Sequence, residues 1–345
     1  MRGIRSVISG AVVIPLAVSI PLILAPPDAA AQKTYEWRLQ SAWLTPITQD
    51  TLKIFAENVK KATGGKINIK VYQANELVKI PAMRESVQSG AIEIACDAGA
   101  YQSGVIPEAD VEFGLPFGWR TWEEAWEAWT KYGLQEKVRE AYAEKGLHFL
   151  TIQPAGEYCL MSAKPVRKAE DLKGLKIRSW GILSNVLTSF GAAPVTIPGA
   201  EQYVALQRGT ADATIYPVFV LDAMKIKEVV KYVIMPTFIS PPTTNIYINL
   251  ELWKGLPKDL QDAVTKVSGL HQDEMQKKYK AEGQAALDNF VKGGHGEIIT
   301  LPEGEVQKLR LAAIKHWDEW GAKSPRLKAL VDGMKKFVAD KGIVK

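Results

Sequence analysis

The sequence predicts an α/β protein made of two similar α/β domains around a ligand cleft, braced by long helices. Three observations predict it. A strand-helix-strand-helix-strand pattern occurs twice along the chain. Helices separate the consecutive strands of each copy, which implies right-handed crossovers and a largely parallel sheet. The chain has 345 residues, 47% hydrophobic and 23% charged. That length suits about two domains, each with its own core.

The first copy begins at Tyr35–Gln40, which alternates like a strand. Pro46–Thr63 places Ile47, Ile54, Phe55 and Val59 at helical spacing and closes on Gly64-Gly65. Lys66–Tyr72 alternates again, with Ile67, Ile69 and Val71 on one face. Pro81–Ser89 reads as a helix ending at Gly90, and Ala91–Cys96 as the third strand. In the second copy Leu175–Arg178 is a strand and Ile182–Phe190 a helix stopped by Gly191. Val195–Ile197 is the next strand, Ala200–Arg208 a helix stopped by Gly209, and Thr210–Ile215 the last strand. The third junctions echo each other, Val87-Gln88-Ser89-Gly90-Ala91-Ile92-Glu93 against Leu206-Gln207-Arg208-Gly209-Thr210-Ala211-Asp212. A strand at Asn245–Asn249 precedes a long helical region, Leu250–Phe290. Pro302–Trp320 and Pro325–Asp340 read as further helices, rich in Lys and Glu, whose charges are solvated faces.

The amino terminus carries Arg2 and Arg5, then an uncharged stretch from Val7 to Ala25, then a Pro-Pro break and Ala29-Ala30-Ala31. This is the form of a cleaved secretory signal, residues 1–31, with cleavage after Ala31. Pro15 and Pro21 weaken the alternative of a retained spanning helix. Cys96 and Cys159 lie in apparent strands, which favours two buried free thiols.

Much chemistry is missing. There are 43 Lys and Arg against 38 Asp and Glu, a net charge of +5 with no basic run, which argues against nucleic acid as a partner. The sequence has no Gly-x-Gly-x-x-Gly, no Walker loop and no Gly-x-Ser-x-Gly elbow. His148, His271, His295 and His316 lack metal-ligand spacing. No catalytic residue, cofactor or metal site is predicted. Trp119, Trp122, Trp126 and Trp129 fall at spacings of 3, 4 and 3, behind a capping box at Thr121-Trp122-Glu123-Glu124, and read as a core-facing helix stripe.

In open parallel sheets, ligands sit beyond the carboxyl ends of the strands, where strand order reverses. Those ends carry Trp43, Gln73–Glu76, Asp97–Tyr101, Arg178–Trp180, Pro198 and Tyr216–Phe219. Arg178 is the one strong cation of the set, and its planar fork matches a carboxylate with two parallel hydrogen bonds. Trp43, Glu76, Tyr101, Arg178, Trp180, Tyr216 and Phe219 are therefore candidate ligand-binding residues, with Asn245 at the start of its strand.

Several segments together resemble the DctP-type solute receptors of tripartite ATP-independent periplasmic (TRAP) transporters. They are Glu85–Glu93, Leu115-Pro116-Phe117, Asp171–Arg178, Gly191–Pro194, Gln202–Asp212 and Leu256–Gln261. The resemblance implies a periplasmic-binding-protein-like receptor that closes on an organic acid in the periplasm and hands it to a membrane permease. It implies that Arg178 binds the substrate carboxylate. It also implies interleaved domains, 32–155 plus 244–284 and 156–243 plus 285–345, and a monomer. Sialic-acid receptors of the family place a second Arg where this chain has Tyr158, beside Glu157. Keto-acid and lactate receptors place a metal-binding Glu where this chain has Ile215, before Tyr216 and Pro217. Tyr158, Trp180, Tyr216 and Phe219 fit a monocarboxylate with an apolar or aromatic body. The alternatives are a metal-assisted 2-oxo or 2-hydroxy acid receptor, a C4-dicarboxylate receptor, or an enzyme on the same scaffold.

Overall fold

The structure is a computed structural model that describes residue 10, residues 33–239 and residues 242–344. The expected signal segment, residues 1–31, lies outside the described residues apart from Gly10. The chain divides into Met1–Lys33 and Thr34–Lys345, and the second unit holds all the elements described below. No helix among the described residues is long and apolar enough to cross a membrane.

The two copies of the repeat form the centres of two sheets. In the first, β1 (Tyr35–Ser41), α1 (Pro46–Ala62), β2 (Ile67–Tyr72), α2 (Met83–Gln88) and β3 (Ile94–Asp97) follow in turn. Pro46 starts α1, where a missing N–H costs nothing. Ile47, Leu52, Phe55 and Val59 bury its inner face. Gly64 and Gly65, at φ 59° and 79°, turn the chain back into β2 through backbone that other residues resist. β1 pairs in parallel with β2 on one side and β3 on the other. In the second copy β6 (Lys176–Arg178), α6 (Gly181–Ser189), β7 (Ala193–Val195), α7 (Gln202–Gln207) and β8 (Ala213–Pro217) repeat the arrangement. There β6 lies parallel to β7 and to β8.

Between the copies run α3 (Ala109–Phe113), α4 (Trp122–Lys131), α5 (Leu134–Ala143), β4 (Leu147–Pro154) and β5 (Tyr158–Ser162). Trp119, Trp122 and Trp129 are buried, and half-buried Trp126 stacks on Trp122 at 6.1 Å, so the stripe is core. The expected capping box is half formed. Thr121 accepts from the Glu124 N–H, but the Glu124 carboxylate takes the Arg120 N–H at 2.7 Å instead of that of Thr121.

After β8 come α8 (Val220–Ala223), β9 (Tyr232–Ile239), β10 (Thr243–Asn249) and α9 (Leu250–Lys254). Then α10 (Lys258–Lys292), β11 (Glu297–Thr300), α11 (Glu303–Gly321) and α12 (Pro325–Asp340) complete the chain. The expected continuous helix from Leu250 is broken at Gly255-Leu256-Pro257, because Pro257 cannot extend a helix.

The strand orders are β2-β1-β3-β10-β4 and β11-β9-β5-β8-β6-β7. Neither sheet is wholly parallel. β10 runs antiparallel to β3 and β4, and β5 runs antiparallel to β8 and β9. Each reversed strand is the one that arrives directly from the other sheet, β5 from β4 and β10 from β9. α10 touches α1 and β4 on one side, and α8 and β11 on the other. α11 lies on α6, and α12 on α11, α4 and α5. Cys96 on β3 and Cys159 on β5 are both free and buried, and loss of water pushes both thiols up.

Candidate functional site

Both sheets reverse their strand order at equivalent places, between β1 and β3 in one and between β6 and β8 in the other. Such points open a crevice at the carboxyl ends of the strands. Beyond β1 and β3 stand Trp43 and Asp97, and at the ends of β6 and β8 stand Arg178 and Tyr216.

Arg178 is buried, with 6% of its surface exposed. Its Nε donates to the Ile197 carbonyl at 3.1 Å and its Nη1 to the Ile215 carbonyl at 3.3 Å. No carboxylate pairs with it among the described residues. The guanidinium lies over the rings of Trp180 and Tyr216, 5.0 and 4.9 Å from their centroids. A buried cation without a counter-charge is costly, and aromatic faces offset only part of that. Nη2 and the second Nη1 proton remain for an anion.

Aromatic rings surround this cation. Tyr158 packs on Tyr216 at 5.6 Å and against the edge of Trp180 at 6.0 Å. The Trp43 side chain acts on the Tyr216 hydroxyl and opposes the rise that burial causes there, so a residue from the end of β1 is near one from the end of β8. Tyr101 keeps 46% of its surface exposed. Its phenol is nevertheless pushed up, first by desolvation, then by Tyr216 and against the pull of Arg178. Phe219 packs on Tyr279 of α10 with centroids 5.5 Å apart and the rings tilted by 33°. The structure thus brings Arg178, Trp180, Tyr158, Tyr216, Trp43 and Tyr101 together, with Phe219 alongside.

Two expected site residues lie elsewhere. Glu76 sits in an exposed turn after β2, where its carboxylate accepts the Gln73 N–H at 2.9 Å. Asn245 is fully buried and committed to structure. Its Oδ1 accepts the Asp97 N–H, and its Nδ2 donates to Glu112 Oε1 at 2.6 Å. Two contributors are new, Phe113 and Tyr279. Phe113 presents its ring edge-on to Trp180 at 5.3 Å and to Tyr158 at 6.0 Å. The motif Leu115-Pro116-Phe117 beside it is the only sequence signal.

Glycines shape the wall. A Cβ on Gly199 would lie 2.6 Å from the Tyr216 hydroxyl, so this ring seats against bare backbone. Gly156, at φ 84° in the β4–β5 link, packs on the Phe219 ring. Ile215 is fully buried in the core, so the place where resemblance puts a metal-binding Glu offers no oxygen from its side chain. Among the described residues no group of three or more His, Cys, Asp or Glu is arranged to hold a metal.

Behind the first crevice lies a buried acid cluster. Glu112 takes hydrogen bonds from Tyr142 at 2.7 Å and from Asn245, yet burial pushes its carboxyl up to about 8. The fold therefore holds a proton that the unfolded chain releases near its ordinary value of 4.5. Between these values the unfolded state binds fewer protons, so stability falls as pH rises from about 5 to about 8 and then levels. Glu112→Gln should flatten that slope in denaturant titrations run across this range. An unchanged slope would show that another group carries it.

Comparisons with known proteins identify a family. The family described as bacterial extracellular solute-binding protein, family 7, matches residues 40–324. A monocarboxylate 2-oxoacid-binding periplasmic protein of Nostoc sp. is 25% identical over 87% of this chain and 83% of its own length. The C4-dicarboxylate-binding periplasmic protein of Rhodobacter capsulatus is 26% identical over 88% of this chain and 89% of its own. Among solved structures, a TRAP periplasmic solute-binding protein from Pseudoalteromonas atlantica with bound sodium and pyruvate is 26% identical, with a TM-score of 0.81. That match covers 90% of this chain and 95% of the other.

Proposed function

This chain belongs to the bacterial extracellular solute-binding proteins of family 7, the DctP family, and from that premise we propose that it is the periplasmic receptor of a TRAP transporter for a small organic acid. The observation that carries this reading is the buried Arg178 guanidinium, framed by Trp180 and Tyr216 and paired with no carboxylate among the described residues. The acid's carboxylate takes the free side of the fork, and the aromatic rings enclose its body. A monocarboxylate with an apolar or aromatic body suits these walls. The receptor acts as a monomer, leaves its ligand chemically unchanged and delivers it to the membrane permease.

Native mass spectrometry of the purified protein should reveal a retained acid of low mass, and calorimetry with that acid should show one site per chain. A protein that turns the acid over would overturn the receptor reading. The 2-oxoacid-binding relative and the neighbour with sodium and pyruvate favour a second reading, in which a cation assists. The buried Ile215 opposes it. Calorimetry after chelation and replacement of Na⁺ decides, and on the first reading affinity is unchanged.

We also propose that the two sheets mark two domains, 32–155 with 244–284 and 156–243 with 285–345. The membership of β10 in the first sheet supports the interleaving. The last helix, α12, lies against α4 and α5 of the first half and so braces both. Closure follows if the link at 155–157 flexes. Small-angle scattering should show the radius of gyration shrink on saturation with ligand. A constant radius would sink the closure.

A further inference from the structure

Asp97 ends β3 at the reversal point of the first sheet, as Arg178 ends β6 beside that of the second. It is 1% exposed. Oδ2 accepts hydrogen bonds from Gln102 and from the Tyr247 hydroxyl, the latter at 2.8 Å. Oδ1 is buried and no donor lies within hydrogen-bonding geometry of it, although the Asn245 amide is near enough to act on the carboxylate. A buried carboxylate oxygen left without a donor costs the full loss of its water. The Tyr101 phenol responds to Tyr216, Arg178 and Asp97 together, so its hydroxyl is within electrostatic reach of both ends of the crevice. No structural ion pair explains the acid, because Arg84, the cation that acts on it, is hydrogen-bonded to Glu85 and Gln88.

We propose that Asp97 is a second ligand anchor, whose Oδ1 accepts a hydrogen bond from an O–H or N–H group that the ligand carries in addition to its carboxylate. This deepens the receptor reading and rests on it. Arg178 holds the carboxylate from one sheet, Asp97 holds the donor from the other, and closure brings the two ends onto one molecule. The ligand class is then narrower than an apolar monocarboxylate. It is a hydroxy acid, a lactam acid or an amino acid, in which a donor lies a short distance from the carboxylate. An acid that carries only acceptors leaves Oδ1 facing a lone pair and is rejected. Sites built around a hydrogen bond reject the analogue that lacks it more strongly than apolar pockets reject an extra methylene.

The test uses matched probes with one body and a changing donor. Phenylacetate, mandelate and 2-phenylglycine form one set, and propionate, lactate and alanine a smaller one. In whichever set binds, calorimetry should show the wild-type protein favouring a donor-bearing member by at least tenfold. Asp97→Asn should erase or invert that preference. Its amide oxygen can keep Gln102 and Tyr247, while its N–H₂ replaces the acceptor. It should also keep the unliganded protein at least as stable as wild type at pH 8, because a buried unpartnered charge is gone. Equal affinity within a set overturns the proposal, and so does a tenfold preference that survives Asp97→Asn. If no probe binds in either set, the monocarboxylate reading itself fails. The stability comparison still decides the role of Asp97, since marked destabilisation by Asp97→Asn would make the residue structural.

Discussion

Arg178→Ala is expected to weaken binding of the retained acid by about 2–5 kcal/mol, the cost of removing one partner from a desolvated charge pair. The side chain is buried and no carboxylate pairs with it among the described residues, so on the proposed reading nothing else can take over the anion. The strand-end position makes the loss mostly one of binding, but not wholly. Nε and Nη1 also tie together the Ile197 and Ile215 carbonyls, which the alanine leaves unbonded. A modest loss of stability, about 1–3 kcal/mol, should accompany the loss of affinity. Arg178→Lys should bind nearly as poorly. An ammonium is a point charge that cannot satisfy both carbonyls and a two-oxygen ligand at once, nor lie flat on two rings. Calorimetry with the retained acid checks both variants, and wild-type affinity in Arg178→Ala would remove Arg178 from the site.

The second large effect is expected at Gly99, just past the end of β3. A Cβ there would lie 2.1 Å from the Ala109 carbonyl oxygen and 3.0 Å from Glu112 Oε1. The obstacle is backbone, so the side chain cannot rotate away and α3 must move. α3 carries Phe113 against Trp180 and Asp110 against Gly181, the first residue of α6, while its Glu112 is bonded into the first half. Gly99→Ala should therefore destabilise the fold by about 1–3 kcal/mol or more and weaken binding as well. Gly104→Ala is the control on the same loop, because nothing lies within 4 Å of a Cβ at Gly104. Thermal unfolding of the two variants side by side separates close approach from a general effect of losing glycine.

The duplicated core was legible because each of its strands and helices announces itself locally, by alternation, by 3.6-residue spacing or by a closing glycine. β4, β9 and β11 were not. β4 is buried along nearly its whole length, so its residues do not alternate. β9 contains Pro236, which argues against a strand inside a sheet, although β9 lies between β11 and β5. β11 has four residues, too few to show a period. In the site, Arg178 was legible because type and position coincide at one strand end. The partners of Asn245 were not legible, because its side-chain hydrogen bonds to Glu112 and to the Asp97 N–H reach segments distant in sequence. Phe113 and Tyr279 join through packing between elements far apart in sequence, which no local window can report.

The two crossings between sheets also set an order of assembly. β4 pairs with β10 and with no other strand among the described residues. Everything before β4 can be in place, its apolar run Phe149-Leu150 included, and the strand still has no neighbour until residues 243–249 exist. All of the second repeat is made in that interval. Until β10 is in place the first sheet therefore has an open edge, the kind of edge that joins other chains. Long-range pairing of this sort is slow to form, because the loop must close before any contact repays it. A chain in which the first sheet has formed without β10 exposes such an edge, and the pairing of β10 covers it.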